Sequence, residues 1–203
     1  MLNKTRMAMA VIVTTLIAGT AHAQQADIPR VEIGILPAGA TVFTEGDNGE
    51  PSFATYAVAG SVTVNANRFI GIEGEIGGNL GIEQDLDFPA GTVSAQPPHM
   101  LSYTGNVVIH PVGRDRGVAP YVTGGIGGLT LFERTEVGVA DNTTFFAGTV
   151  GGGLKVDLTD GLGLRVDYRF IPVASQDDAP AFFGRGTRYG HRIAGGVTIN
   201  LAR

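Results

Sequence analysis

The sequence predicts an all-β fold: an eight-stranded antiparallel up-and-down β-barrel that spans a membrane. Three observations lead to this prediction. Eight segments alternate between apolar and polar residues, the connections between them alternate between long and short, and the polar side of the strands is rich in small residues. Successive side chains of a strand point to opposite faces, so each segment has one apolar and one polar face.

The predicted strands fill most of the chain after residue 30, where no segment has convincing helical periodicity. The segment GLGLRVDYRF, residues 161–170, is the clearest strand, because its even-numbered residues are apolar and its odd-numbered residues are glycine or charged. The eight predicted strands are residues 31–43, 53–65, 69–82, 101–110, 121–132, 145–158, 162–171 and 188–201.

The connections between the predicted strands are sorted by length. Every odd-numbered connection is long and polar, whereas two of the others are tight turns with the Asn, Asp and Gly residues that such turns require. The third short connection, residues 111–120, is of intermediate length and carries Arg114 and Arg116. Bacterial outer-membrane barrels have this asymmetry, with short periplasmic turns and long loops outside, so both termini are expected on the short-turn side. The long connections are residues 44–52, 83–100, 133–144 and 172–187.

The polar faces of the predicted strands carry glycine, alanine and charges of both signs. The interior of an eight-stranded barrel holds only packed side chains, so small residues and paired charges fit there, and the apolar faces are predicted to contact lipid. Around the turn at residues 159–161, Lys155 is expected opposite Arg165, with Asp157 and Asp167 on the diagonals. We expect this network to plug the lumen rather than to conduct protons or ions. Its predicted members are Glu73, Glu75, Lys155, Asp157, Arg165, Asp167, Arg169 and Arg192.

The composition agrees with export and a membrane location. Only 16% of residues are charged, against roughly 25% in an average soluble domain, and the chain contains no cysteine. Residues 1–23 are predicted to be a signal peptide with a basic start, an apolar run at residues 7–17 and a small-x-small cleavage site at residues 21–23, which leaves residues 24–203 as the barrel domain. Loss of Lys4 and Arg6 changes the net charge from −5 to −7, which disfavours nucleic-acid binding.

The chain from Val31 to Arg203 resembles the small outer-membrane β-barrel family, the OmpA/OmpX-type eight-stranded barrels. The resemblance rests on PYVTGGIGG (residues 120–128), GGGLKVDLTDGLGLRVDYRF (residues 151–170) and IAGGVTINL (residues 193–201). It implies insertion into the bacterial outer membrane by machinery that reads the last strand. Family members usually end in an aromatic residue, whereas this chain ends in Ala202 and Arg203, so a weaker insertion signal is expected. No peptidoglycan-binding domain is expected after the last strand.

Several candidate sites have a structural explanation that we favour. The glycine runs at residues 124–128 and 151–153 precede no helix and miss the G-x-G-x-x-G spacing, so strand packing is expected rather than phosphate binding. His99, His110 and His191 lack a paired metal-ligand spacing and are expected to be surface or interface residues. Some eight-stranded barrels are lipid-modifying enzymes that use a His and a Ser. His191 faces lipid beside Tyr189, but its strand contains no serine.

Acidic residues cluster in the long connections. Carboxylates can bind divalent cations, but their spacing matches no recognised calcium loop, so solvated acidic loop tips are expected. The clusters are Glu45, Asp47 and Glu50; Glu83, Asp85 and Asp87; and Asp177 and Asp178.

The sequence therefore favours a small, non-enzymatic outer-membrane barrel with a structural or surface-interaction role through four extracellular loops. The alternatives are a narrow pore for small solutes, a lipid-modifying outer-membrane enzyme and a soluble lipocalin-like carrier. Neither a cofactor nor a bound metal is expected. The expected partners are outer-membrane lipid, the insertion machinery and an unknown extracellular ligand, with a monomeric barrel and no nucleic acid.

Overall fold

The computed structural model describes residues 28–46, 48–115 and 117–202; the predicted signal peptide lies outside them. These residues form a closed antiparallel barrel and a separate two-stranded hairpin, which confirms the predicted fold class. Within the described ranges, no helix is long and apolar enough to cross a membrane. The strands are β1 (Val31–Phe43), β2 (Phe53–Asn65), β3 (Ile70–Gly81), β4 (Gln84–Phe88), β5 (Gly91–Ala95), β6 (Met100–Ile109), β7 (Val118–Leu131), β8 (Thr143–Asp157), β9 (Leu162–Val173) and β10 (Arg188–Ala202).

Eight strands make the barrel in the order β1-β10-β9-β8-β7-β6-β3-β2, and β4 and β5 form the hairpin between β3 and β6. The barrel closes because β1 pairs with both β2 and β10; Ile33, for example, lies between Val62 and Ile199. We call the end that carries the connections 66–69, 110–117 and 158–161 the turn end. The loop end carries the connections 44–52, 82–99, 132–142 and 174–187.

The apolar faces of the strands point outward and the polar faces point inward. Ile76 and Phe146 are 61% and 60% exposed on the outer wall, whereas Arg165 and Arg169 in the lumen are 1% and 0% exposed. In β9 the even-numbered residues from Leu162 to Tyr168 are exposed and the odd-numbered residues are buried. This orientation suits a barrel in lipid and rules out a lipocalin-like carrier, which would keep its apolar faces inside.

Two prolines mark places where the ladder is irregular. Pro37 lies at a register shift of β1, between Leu36 and Ala38, where the strand is bulged toward both neighbours. A bulge tolerates proline because it interrupts the ladder, and it also exchanges the inward and outward positions of the strand. Pro120 was predicted to lie in a turn, but β7 includes it. Pairing of β7 with β6 begins only at Val122, so the missing N–H of Pro120 costs no bond on that side.

The long connections differ from the expected polar loops. Residues 84–95 form the β4–β5 hairpin, and residues 135–137 of the third loop form a short 3₁₀-helix. The hairpin strands have five residues each, too few for a clear alternation signal. The fourth loop is not polar throughout, because Phe182 and Phe183 are buried in the barrel mouth.

Candidate functional site

A network of paired charges fills the lumen from the turn end to the middle of the barrel. Every sequence-predicted member lies in it, and the structure adds Glu32 from β1 and Arg114 from the β6–β7 turn. Five acidic and five basic side chains make the network electrically balanced, as burial of charge requires. Its members, here called the charged network, are Glu32, Glu73, Glu75, Asp157 and Asp167 with Arg114, Lys155, Arg165, Arg169 and Arg192.

The centre of the charged network is a ring of two arginines and two carboxylates. Arg165 contacts Glu73 at 2.7 Å and Asp167 at 2.9 Å, and Arg169 contacts the same two acids at 2.8 Å and 2.9 Å. Tyr121 donates its hydroxyl to Asp167 at 2.5 Å and accepts a hydrogen bond from Nε of Arg165 at 2.8 Å. These contacts join β3, β7 and β9 across the lumen, so the ring braces the barrel from inside.

Arg192 of β10 extends the ring toward the loop end. Its Nη2 lies 2.8 Å from Glu75 and 3.3 Å from Asp167. The sequence-predicted Lys155 lies opposite Arg165 in the β8–β9 ladder, as expected. The ion pair of Lys155 is not with a residue of this ladder, however. Its ammonium group donates to Glu32 of β1, across the lumen.

The turn end of the lumen is closed by Arg114, which sequence reasoning did not assign to the network. Its Nε lies 2.5 Å from Glu32, and its two terminal nitrogens bind Asp157 at 2.7 Å and 2.8 Å. The turn holds this side chain inward because the N–H of Arg114 donates to the carbonyl of Arg68 at 2.6 Å. Burial acts to lower the pKa of Arg114, but its hydrogen bonds with Asp157 and Glu32 outweigh burial and raise the pKa above its usual value.

His110 is buried beside Arg114, so its prediction as a surface or interface residue was wrong. The ring is fully buried, neither nitrogen has a hydrogen-bond partner among the residues that the structure describes, and its centroid lies 6.0 Å from that of Tyr121. Burial, followed by the charge of Lys155, lowers the pKa of His110 to about 4, so the ring is neutral at pH 7. Strand β6 ends at Ile109, one residue before His110, and the turn that follows places His110 in the interior at the turn end of the barrel.

The other two histidines lie elsewhere. His99 accepts a hydrogen bond from the N–H of Gly81 at 3.1 Å in the second loop. His191 lies on the outer wall, where its Nδ1 is 2.8 Å from the hydroxyl of Tyr168 and its ring packs at 5.2 Å from Phe170. Within the described ranges no group of three or more His, Asp or Glu residues is arranged to hold a metal ion.

An apolar cluster, here called the apolar plug, fills the lumen at the loop end. Leu86 from the hairpin, Val139 from the third loop and Phe182 and Phe183 from the fourth loop enter the mouth and pack on strand residues. Phe183 lies 4.9 Å from Phe145 between ring centroids, and Phe53 lies 5.1 Å from Phe182. The plug consists of Phe43, Phe53, Leu86, Met100, Leu129, Leu131, Val139, Phe145, Ala147, Ile171, Val173, Ala179, Phe182 and Phe183.

Arg188 fastens the fourth loop to the plug. Its guanidinium group donates to the carbonyl oxygens of Phe183 at 3.1 Å and Pro51 at 2.7 Å, and it lies over the ring of Phe53. One buried cation thereby ties the first and fourth loops together. The adjacent pair Phe182–Phe183 is the one sequence signal that could have indicated this closure.

The glycine runs serve close packing, as predicted. A Cβ on Gly127 would lie 1.9 Å from the carbonyl oxygen of Tyr103, and one on Gly151 would lie 2.0 Å from that of Tyr168. Both glycines lie within barrel strands, β7 and β8, and not in a loop that precedes a helix. With glycine at these positions, the backbones of neighbouring strands can approach more closely than any side chain would permit.

Comparison with known proteins, like the fold, points to an outer-membrane barrel. The model of the outer membrane protein beta-barrel domain family matches residues 10–191. The chain belongs to this family. Its place is therefore the bacterial outer membrane, where an outer-membrane barrel presents an apolar wall to lipid. No curated protein matches the chain by sequence.

Solved structures of outer-membrane barrels share the fold at low sequence identity. Neisserial surface protein A is 11% identical with a TM-score of 0.57, and the match covers 84% of this chain and 97% of that one. The N-terminal β-barrel domain of OprF from Pseudomonas aeruginosa is 12% identical with a TM-score of 0.52, covering 84% and 96%. Ail of Yersinia pestis, solved with the heparin analogue sucrose octasulfate, is 14% identical with a TM-score of 0.50, covering 83% and 95%.

Proposed function

We propose that the protein is a closed, non-catalytic outer-membrane barrel that acts through the surface formed by its four long loops. The observation that carries the proposal is that the lumen is occupied in both halves, by the charged network at the turn end and by the apolar plug at the loop end. A solute path would have to cross both layers. With the lumen closed, the surface available for binding a partner is the loop end.

The charge of the loops indicates which partners suit this surface. The four long connections contain eleven acidic residues and only two arginines, Arg134 and Arg185. Arg134 is itself paired with Glu136 at 2.8 Å. Such a surface attracts cations and repels polyanions, so the heparin analogue bound to Ail is a poor guide to this chain. We therefore propose a cationic partner on the outer side of the membrane.

Biogenesis follows the same proposal. Residues 1–23 direct export, the insertion machinery reads β10, and the mature chain works as a monomer in contact with outer-membrane lipid. Nucleic acid is not among its partners, because the loop surface is acidic. No catalytic role is assigned to His191, whose described hydrogen-bond partner is the phenol of Tyr168.

Planar-bilayer recordings test the closed lumen. The purified full-length mature chain is expected to insert without discrete current steps. A variant that removes material from both layers, Arg114→Ala with Phe182→Ala and Phe183→Ala, supplies the matched control and is expected to leak. Reproducible steps with the wild-type chain would support the narrow-pore alternative and overturn the proposal.

Binding of fluorescent polylysine to the barrel in zwitterionic micelles tests the loop surface. Conversion of Glu45, Glu83, Asp85, Asp177 and Asp178 to the corresponding amides is expected to weaken binding strongly. Conversion of Asp115 and Asp160 at the turn end to asparagine is the control and is expected to leave binding unchanged. Equal binding by all three proteins would show that the loops are not the recognition surface.

A further inference from the structure

The β4–β5 hairpin at the loop end has an open edge. Within the described residues β5 pairs only with β4, and four of its five residues are exposed. An edge strand presents unpaired N–H and C=O groups that can pair with another strand. The two-residue connection Pro89–Ala90 makes Phe88 and Gly91 the first hydrogen-bonded pair, so alternation directs the N–H groups of Thr92 and Ser94 away from β4.

The composition of β5 leaves this edge unprotected. Natural sheets guard their edges with charged side chains, proline or an inward bulge. The sequence of β5, GTVSA, contains neither a charge nor a proline, and its register with β4 is unbroken over all five residues. Val93 is 53% exposed on this strand, although its register partner Leu86 is fully buried in the apolar plug. An added strand would cover Val93.

The hairpin is held in place on the barrel. The side chain of Gln84 accepts a hydrogen bond from the N–H of Ala54 at 2.9 Å and donates to its carbonyl at 2.8 Å, as a neighbouring strand would. Leu86 anchors the middle of β4 in the plug, and Pro89 at the tip packs against Gly49 of the first loop. Binding at β5 therefore requires little ordering of the hairpin itself.

Charge determines which extended segment fits. Asp85 and Asp87 of β4 lie opposite Ser94 and Thr92, and all four are exposed. Thr92 donates to Asp87 at 2.7 Å, which leaves the carboxylate facing the side of β5. A third strand would lie two strand spacings, about 10 Å, from β4, and the short Thr92 and Ser94 side chains leave room for long basic residues to reach across.

We propose that the free edge of β5 binds an extended peptide segment in which basic residues alternate with apolar ones. The backbone of the segment pairs with Thr92 and Ser94, its basic side chains approach Asp85 and Asp87, and its apolar side chains cover Val93. The inference rests on the proposed function, since it assigns the cationic partner of the loop surface to one strand.

The test uses the purified full chain in zwitterionic micelles and a labelled acetyl-(Lys-Val)₄-amide peptide. Saturable binding at low salt is expected. Two control peptides are used: (Glu-Val)₄, and (Lys-Val)₄ with an N-methyl group on every residue, which removes the N–H donors of both edges while keeping the charge. Both are expected to bind at least about tenfold more weakly, in line with the loss of several backbone hydrogen bonds or of charge complementarity.

Protein variants separate the edge from the charge. Ser94→Pro removes the outward N–H and is expected to weaken (Lys-Val)₄ about tenfold, whereas Ser94→Ala binds like the wild type. Asp85→Asn with Asp87→Asn is expected to weaken binding and to flatten its salt dependence. Because Ser94→Pro could disturb the hairpin, the N-methylated peptide with the wild-type chain provides the same test without a mutation.

Equal binding of the N-methylated and unmodified peptides overturns the inference, since charge alone then explains the complex. If neither peptide binds while polylysine does, the inference also fails and the proposed function stands. If polylysine does not bind the loop surface either, the proposed function fails with it.

Discussion

The two halves of the barrel interior are filled by different chemistry from different parts of the chain. The charged network at the turn end consists of strand residues, apart from Arg114. The apolar plug at the loop end joins strand residues to Leu86, Val139, Phe182 and Phe183 from three loops. The charged half of the interior is therefore supplied mainly by the barrel strands, whereas the apolar half depends on loops that fold inward.

The two halves differ in how much change each tolerates before the barrel is lost. A buried ion pair that loses one partner leaves an uncompensated charge, so the charged half tolerates little alteration. An apolar contact that is lost leaves a cavity, which the neighbouring loop can partly fill. The surface that we propose for recognition is thus built on the half that tolerates change.

The largest effect is expected from Arg165→Ala. The substitution leaves Glu73 with one of its two arginines and Asp167 with two of its three, and breaking a buried pair costs about 3–5 kcal/mol. Urea unfolding in micelles, followed by far-UV circular dichroism because the chain has no tryptophan, measures the loss. Arg68→Ala, which removes an exposed contact with Asp115 at 3.6 Å, is the control and is expected to cost less than about 1 kcal/mol. Similar losses for both variants would contradict the central role of the ring.

Phe183→Ala is expected to have the next largest effect, and a local one. Removal of a buried phenylalanine costs about 3 kcal/mol at the low end of such changes, since the loop can partly collapse into the cavity. Hydrogen exchange is expected to rise in residues 174–187 and at the loop ends of the strands, with the charged half unchanged. Phe132→Ala, at an exposed position, is the control. A uniform rise over the whole barrel would show that the halves are not independent.

The contrast between the halves also explains what could be predicted from the sequence. Alternation in β9 places Arg165, Asp167 and Arg169 in the lumen as soon as the outer face is known to meet lipid. Alternation says nothing about Arg114, because a turn has no period and its direction depends on contacts with another turn. Glu32 was missed for a different reason: the bulge at Pro37 exchanges the faces of β1, so no single alternation runs through the strand.

The apolar plug was not predicted because its loop residues are separated in sequence and carry no shared pattern. Leu86 stands between two aspartates, and Val139 follows a glycine with φ of 77°. Each becomes an interior residue only when the loops are assembled over the mouth. Burial of such residues is a tertiary property, whereas the strand faces are a local one.

Acidification is expected to destabilise the barrel through His110, which is buried at the turn end. The ring titrates near 6.5 in an unfolded chain but at about 4 in the folded barrel, so between these values only the unfolded chain binds the proton. The free energy of unfolding therefore falls as the pH is lowered from 7 to 5, by about 2 kcal/mol, and is independent of this group above pH 7.

His110→Leu is the matched variant for this prediction. Most Asp and Glu residues of the unfolded chain stay ionised above pH 5, so the slope between pH 7 and 5 is expected to flatten in the variant. The groups that face His110 are Glu32, Lys155, Arg114 and Arg165, and their contribution is retained in both proteins. An unchanged slope in His110→Leu would assign the pH dependence to another group.

The smallest effect is expected from Gly74→Ala, on the outer face of β3. This variant tests whether close packing is confined to the interior of the barrel and does not extend to its outer face. Among the described residues, a Cβ on Gly74 meets nothing within 4 Å on the outer face, whereas one on Gly127 would lie 1.9 Å from the carbonyl oxygen of Tyr103. Alanine also loses less backbone entropy than glycine on folding, so Gly74→Ala is expected to be neutral or to stabilise by up to about 1 kcal/mol. Urea unfolding is expected to show a clear loss only for Gly127→Ala. A comparable loss for Gly74→Ala would mean that the outer wall is packed against a partner, and the barrel would then not be a monomer in lipid.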